Sequence, residues 1–407
     1  MPSDNTKVLR IACNASPPEE EPKINIFKAS INLDCLFGHL FRDLYDQDLP
    51  ETNYLGNHYL LFLTKDGHFR FNGSGVGAHK EAKISESKTF GKAFCRWYLQ
   101  EYCNVTYFHH IDHILDRTIE IDGICYRLER KRNRRGDIPD YLCSFSKSYD
   151  AQTIFLGEAK GSQTKAAMST NPEKYFLSKK FMEWNEQFKR MHLVDKENNE
   201  LRIKGYLVAT FLGNENHLNC ETTVLAEDPF TPGNTPISPA ASLALRRTTI
   251  AGHYASLFHK LGLPQLSQAL RRSITPYRLP ASYYQGELSV LETWTTDIIS
   301  VAEHEFVGVF FYPPAIPRHY IRLSDLEQLQ EGLQAPELMF LGLHRKIFDQ
   351  VLRIVEVGPE AADEVMDLSE VTGSDPNITP EAHSTIFRDG SILAPLEHFR
   401  HLGNLSR

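Results

Sequence analysis

The chain has 407 residues, 41% hydrophobic and 24% charged, which excludes a disordered or fibrous protein and leaves room for two domains or one domain with large additions. A formal net charge of -8 excludes a surface coated in basic residues, although a single basic cleft is compatible with an acidic total. Seven cysteines, with no CxxC pair, read as reduced thiols. The first residues lack the apolar run of roughly 7–15 that a secretory signal needs, and no stretch nears the ~18 of a membrane span. The expectation is a soluble, cytoplasmic protein.

Taken in order, residues 15–23 are proline-rich and acidic and read as a solvated loop. Residues 24–48 suit a strand followed by a helix. Tyr59–Leu63 and His68–Phe71 flank Asp66-Gly67 as a hairpin. Ser85 is placed to cap a helix running to Tyr102, with Phe90, Ala93, Phe94, Trp97 and Tyr98 on its apolar face. Strands are expected at Thr118–Ile121 and Ile124–Leu128 around Asp122-Gly123, then at Ile138–Phe145 and at Thr153–Leu156. From Asn171-Pro172, the spacing of Tyr175, Phe176, Phe181, Trp184, Phe188 and Met191 predicts one long helix, and Gly205–Leu212 a buried strand. Strand, helix, strand in that order is a crossover unit of an α/β sheet.

The prolines at 229, 232, 236 and 239 mark a linker, with a boundary near 225. Beyond it the pattern predicts a helical region over 240–273 broken near Gly262 and Pro264, a strand over 306–312, helices over 323–333 and 338–355, and a hairpin at 387–393. The resulting domains are an N-terminal α+β region (1–78), a core (79–222) and a C-terminal α+β domain for recognition or assembly (240–407).

The chemistry concentrates in the core. Ile138-Pro139-Asp140 is followed by Glu158-Ala159-Lys160 at the end of an apolar strand, and small residues (Gly157, Gly161, Ser162) leave space around it. If the two segments pair as antiparallel strands, Asp140 falls opposite residues 159 and 160, while Glu158 and Lys160, two apart, share a face. Two carboxylates and an ammonium then converge. Such a cluster is costly inside a sheet unless a cation compensates it, and hard oxygen donors suit Mg²⁺, with Mn²⁺ as a substitute. Asp140 and Glu158 are the expected ligands, with the Ala159 carbonyl as a third. Lys160 would orient the attacking water and stabilise charge on a phosphate.

This pattern resembles the PD-(D/E)xK nuclease superfamily over about residues 80–215, because the flanking helix, hairpin, helix and strand follow the order that superfamily uses. The resemblance implies an α/β fold with a restriction-endonuclease-like mixed sheet flanked by helices. It also implies hydrolysis of DNA phosphodiesters by a nuclease of bacterial restriction or anti-phage defence type, working as a homodimer or larger assembly, with a partner protein of a defence system in view. Members often carry a further acid on the helix before the hairpin; Glu86 and Glu101 are the candidates, and Lys92 occupies the surface where that acid would stand. Arg130, Arg132, Arg134 and Arg135, together with Gln187 and Arg190, are candidates for holding phosphates. His109, His110, Asp112 and His113 lack the context of a metalloprotease motif, and no Walker-type loop is present. The competing readings are a catalytically silent nucleic-acid-binding or assembly protein and a toxin or effector nuclease.

Overall fold

The structure is a computed structural model and describes residues 5–14, 23–44, 59–121, 123–131, 136–146, 154–163, 173–216, 221–228, 231, 235–274, 295–301, 304–311, 339–372, 385–395 and 400–406. It is a mixed α/β protein that divides into two compact units, one comprising residues 1–43 and 56–246, the other 44–55 and 247–407. No described helix is long and apolar enough to cross a membrane.

The first unit is built on a seven-stranded mixed sheet. In chain order its elements are strands β1 (Thr6–Asn14) and β2 (Ile24–Asn32), helix α1 (Leu33–Leu44), helix α2 (Lys80–Cys103), strand β3 (Tyr107–His110), strands β4 (Thr118–Ile121) and β5 (Ile124–Arg130), strands β6 (Tyr141–Ser144) and β7 (Ile154–Gln163), helix α3 (Lys179–Asn185), strands β8 (Met191–Asp195), β9 (Glu200–Arg202), β10 (Lys204–Leu212), β11 (Thr223–Glu227) and β12 (Thr235–Pro236), and the start of helix α4 (Pro239–Lys260). The sheet order is β2-β1-β11-β10-β7-β6-β3. β3, β6 and β7 run antiparallel in sequence, and β10 returns parallel to β7. Strands from the region expected as 1–78 and from the core expected as 79–222 therefore lie in one sheet, and the segment expected as a linker near 225 is strand β11 between β10 and β1.

A second, five-stranded sheet of order β12-β9-β8-β5-β4 takes the Asp122-Gly123 hairpin out of the main sheet. A core of Leu142, Leu156, Leu207, Phe211, Phe181 and Phe188 packs on one face of the main sheet. Each such side chain contributes roughly 1.5–3 kcal/mol on burial. Trp184 of α3 packs against the same core and stacks with Phe211, ring centroids 6.1 Å apart.

Helix α2 covers the other face of β7 at very close range. A Cβ at Gly161 would lie 1.6 Å from the Ser87 carbonyl oxygen, and one at Gly91 would lie 2.6 Å from the Gly161 amide nitrogen. Only two glycines permit this approach of helix to strand. The helix begins five residues before the expected Ser85 cap, because His79 caps it by accepting the Ala82 amide through Nδ1 at 3.2 Å.

Other expectations are corrected by the fold. The single helix expected from Asn171 is instead a short turn of helix, Glu173–Phe176, then α3 capped by Ser178, then strand β8; its cap at 171–172 lies outside the described residues. The Asp66 turn forms, but its flanks make only isolated bridges, Leu63 with Phe71 and Val8 with His68.

The second unit contains a six-stranded sheet formed by β13 (Thr295–Val301), β14 (His304–Phe311), β15 (Met339–His344), β16 (Thr385–Ile386), β17 (Ser391–Pro395) and β18 (Arg400–Ser406), in the order β16-β17-β15-β14-β13-β18. The stretch expected as one helix over 338–355 begins as β15 and becomes helical only at Arg345–Val357. The helix expected over 323–333 lies outside the described residues. The hairpin near 387–393 forms, and its Asp389 carboxylate meets His253 Nε2 at 2.6 Å and accepts from the Ser391 hydroxyl at 2.8 Å, all three buried.

Candidate functional site

The candidate site lies where β6 begins and β7 ends its fully buried stretch. Tyr141 pairs with Gly157, so the preceding residue, Asp140, comes level with Glu158 rather than with residues 159 and 160 as expected. Two contacts fix Asp140. Its carbonyl accepts the Ile111 amide at 3.0 Å, and its Oδ2 accepts the Ala159 amide at 2.9 Å. Ala159 thus meets Asp140 through its N–H. Period-two alternation puts Glu158 and Lys160 on the face of β7 that Leu156 shares.

Lys160 Nζ lies 2.5 Å from Glu158 Oε1, while Glu158 itself is 1% exposed. Glu158 Oε2 is buried with no hydrogen-bond donor among the described residues. Burial pushes the Glu158 carboxyl well above the usual range, and the neighbouring Asp140 raises it further, against the pull of Lys160. The same burial raises Asp140, against Lys92, the Ala159 amide and Lys160. The pair is short of positive charge.

A third carboxylate, Asp43, acts on Asp140 and was not among the residues expected at the site. Asp43, at the end of α1, is buried and surrounded by cationic or donating groups: Lys92 Nζ at 3.4 Å, His110 Nε2 at 3.5 Å and Arg96 Nη1 at 3.8 Å, with the Tyr141 hydroxyl donating to its Oδ1. Burial would raise Asp43, yet Lys92, His110, Arg96 and Tyr141 outweigh it and hold this carboxyl below its ordinary value. Arg96 also lies over the Phe108 ring, 4.5 Å from its centroid, which fixes the guanidinium beside Asp43. Lys92 connects the two acidic groups: Asp43 first, then Asp140 and Glu158, raise its pKa against the opposing effect of burial.

The remaining sequence candidates divide. Glu86 accepts a hydrogen bond from the Tyr59 hydroxyl at 3.0 Å, and Glu101 is exposed on the last turn of α2. The acid that acts on Asp140 besides the motif is Asp43, which comes from α1 and not from the helix where the additional acid was sought. Arg190 donates to the Asp137 carbonyl at 3.1 Å, which brings it to the loop that leads into Asp140. Arg130 donates to the Gly136 carbonyl on the same loop. Gln187 is buried and its Oε1 meets no donor among the described residues, so it is not a surface contact. Arg132, Arg134 and Arg135 lie outside the described residues. His109 and His113 rings lie 5.7 Å apart, and His110 serves Asp43. Among the described residues, no group of three or more His, Cys, Asp or Glu side chains is arranged to hold a metal ion.

Asp140 and Glu158 nevertheless fit one divalent cation that takes its other ligands from backbone, water or phosphate: the donors are hard oxygens, one carboxylate oxygen is buried without a donor among the described residues, and Asp140 disfavours the ionised form of Glu158. No family model matches the chain, and neither a curated protein nor a solved structure does.

Proposed function

We propose that this protein is a metal-dependent phosphodiester hydrolase acting on DNA. The observation that carries the reading is buried Glu158 beside half-buried Asp140, with Lys160 2.5 Å from Glu158 and one Glu158 carboxylate oxygen without a donor among the described residues. The run of α2, the antiparallel β3, β6 and β7, the helical segment and the parallel β10 supports the reading, because it follows the element order of the PD-(D/E)xK nucleases that the motif resembles.

Asp140 and Glu158 would hold a Mg²⁺ ion, with Mn²⁺ as a substitute and the Ala159 carbonyl as a further oxygen donor. Such an ion supplies Lewis acidity toward a phosphate and makes a bound water acidic enough to attack it. The chain's own residues do the rest. The Ala159 amide holds Asp140 in place. Lys160, 18% exposed, reaches the solvent side of the pair, where its ammonium orients the attacking water and offsets negative charge as the phosphorus centre gains it. Arg190 and Arg130 bring positive charge to the 136–137 loop, where a nucleic-acid backbone would run. A restriction or defence setting, and a dimer that cuts both strands, belong to this proposal as its biological context.

The test is incubation of wild-type protein and Lys160→Ala with plasmid, single-stranded DNA and RNA in Mg²⁺, Mn²⁺ or EDTA. Cleavage that needs metal and is lost in the variant supports the reading and identifies the substrate. Binding without cleavage in both would favour a silent nucleic-acid-binding protein.

A further inference from the structure

The site holds two lysines, and only Lys160 belongs to the motif. Lys92 reaches it from another element. The Gly91–Gly161 contact seats α2 against the backbone of Lys160 and Gly161, so residue 92 projects from the turn of helix nearest the end of β7. Its side chain is anchored by Asp43 at 3.4 Å, and Asp43 in turn is fixed by Arg96, His110 and Tyr141. The Lys92 side chain is 32% exposed, whereas that of Asp43 is 5% exposed. Asp140 and Glu158 both act on Lys92 electrostatically, which places one ammonium within the field of three carboxylates.

We propose that Lys92, positioned by Asp43, is the built-in second cation of this centre: it takes the place of a second divalent ion, so that the site binds a single metal and Lys92 holds a non-bridging oxygen of the phosphate. This rests on the metal-dependent hydrolase reading. Asp43 is then a positioning residue that acts through Lys92. A lysine at position 92 repels a second divalent ion by charge.

Mn²⁺ alone, titrated into the full-length protein and followed by the electron paramagnetic resonance of the free ion, tests this without a substrate. Wild type is expected to bind one Mn²⁺ per chain. Lys92→Met removes a positive charge beside the ion and is expected to bind Mn²⁺ at least about tenfold more tightly. Lys92→Arg restores the charge and the wild-type affinity, and Glu158→Gln loses the site. Lys92→Gln, which keeps a hydrogen bond donor for Asp43, is the second variant should Lys92→Met fail to fold by circular dichroism. Unchanged or weaker affinity in the folded neutral variants, with binding still lost in Glu158→Gln, overturns the role of Lys92 and leaves the hydrolase reading standing. Two Mn²⁺ ions per wild-type chain do the same. Failure of every variant, wild type included, to bind Mn²⁺ through Glu158 overturns the hydrolase reading and the role of Lys92 with it.

Discussion

Asp43 and Glu158 are both buried carboxylates of the first unit, and their environments oppose one another. Asp43 has Lys92, Arg96, His110 and Tyr141 around it and is held below its ordinary pKa despite burial. Glu158 has one lysine, a second carboxylate and an oxygen with no donor among the described residues, and it is pushed well above. Burial is common to the two; the supply of donors decides the sign. A compensated carboxylate holds its neighbours in place. An uncompensated pair is a place for a cation to be added.

Removing each acid in turn separates the two environments. The largest effect expected is on catalysis: Glu158→Gln should lower metal-dependent DNA cleavage by on the order of 10³-fold, because it removes a metal ligand and with it the charge stabilisation at the phosphate. Plasmid nicking rates measure this. The stability effects should have opposite signs. Asp43→Ala strands Lys92, Arg96 and His110 around an empty position and should cost about 3–5 kcal/mol in denaturant unfolding. Glu158→Gln removes an uncompensated carboxyl and should leave the metal-free protein as stable as wild type or more so. A loss of stability from Glu158→Gln as large as that from Asp43→Ala would remove the distinction between them.

The approach of α2 that carries Lys92 to the site can be tested separately. Gly161→Ala places a methyl group against the Ser87 carbonyl and forces helix and strand apart. A loss of about 1–3 kcal/mol is expected, together with weaker cleavage by the folded fraction.

The smallest effect lies in the pH dependence of metal-free stability. The pKa of Asp43 is lowered from 3.8, so its contribution is present above that pH and is lost as acid protonates it in the fold. That of Glu158 is raised from 4.5, so its contribution is present below pH 4.5 and is lost as rising pH ionises it. Unfolding measured across pH should show Asp43→Asn flattening the acid limb and Glu158→Gln flattening the loss toward neutral pH.

Much of the Asp140, Glu158 and Lys160 arrangement was legible because it depends on strand parity: two residues apart on one strand always share a face. The register was misjudged by one to two residues, since the length of the connection between the two strands had to be guessed and every residue added to a connection shifts the pairing. Asp43 was not legible at all. It lies almost a hundred positions before Asp140 in an ordinary amphipathic helix, and only the tertiary fold brings it to Lys92 and Tyr141. The broken helix after Asn171 has a related cause: Phe181, Trp184 and Phe188 face one core at helical spacing although the chain changes from helix to strand at Met191. Likewise the apolar run of 339–343 suits strand or helix equally by periodicity, and sheet pairing settles it as a strand.

Whether Asp140 and Glu158 form a cation site is read by thermal unfolding with Mg²⁺ or EDTA. Saturating Mg²⁺ should raise the wild-type Tm by several degrees, as expected when a ligand at about 100 times its Kd binds only the folded state, and should leave Glu158→Gln where it was in EDTA. Equal shifts in wild type and variant, or none in either, would contradict it.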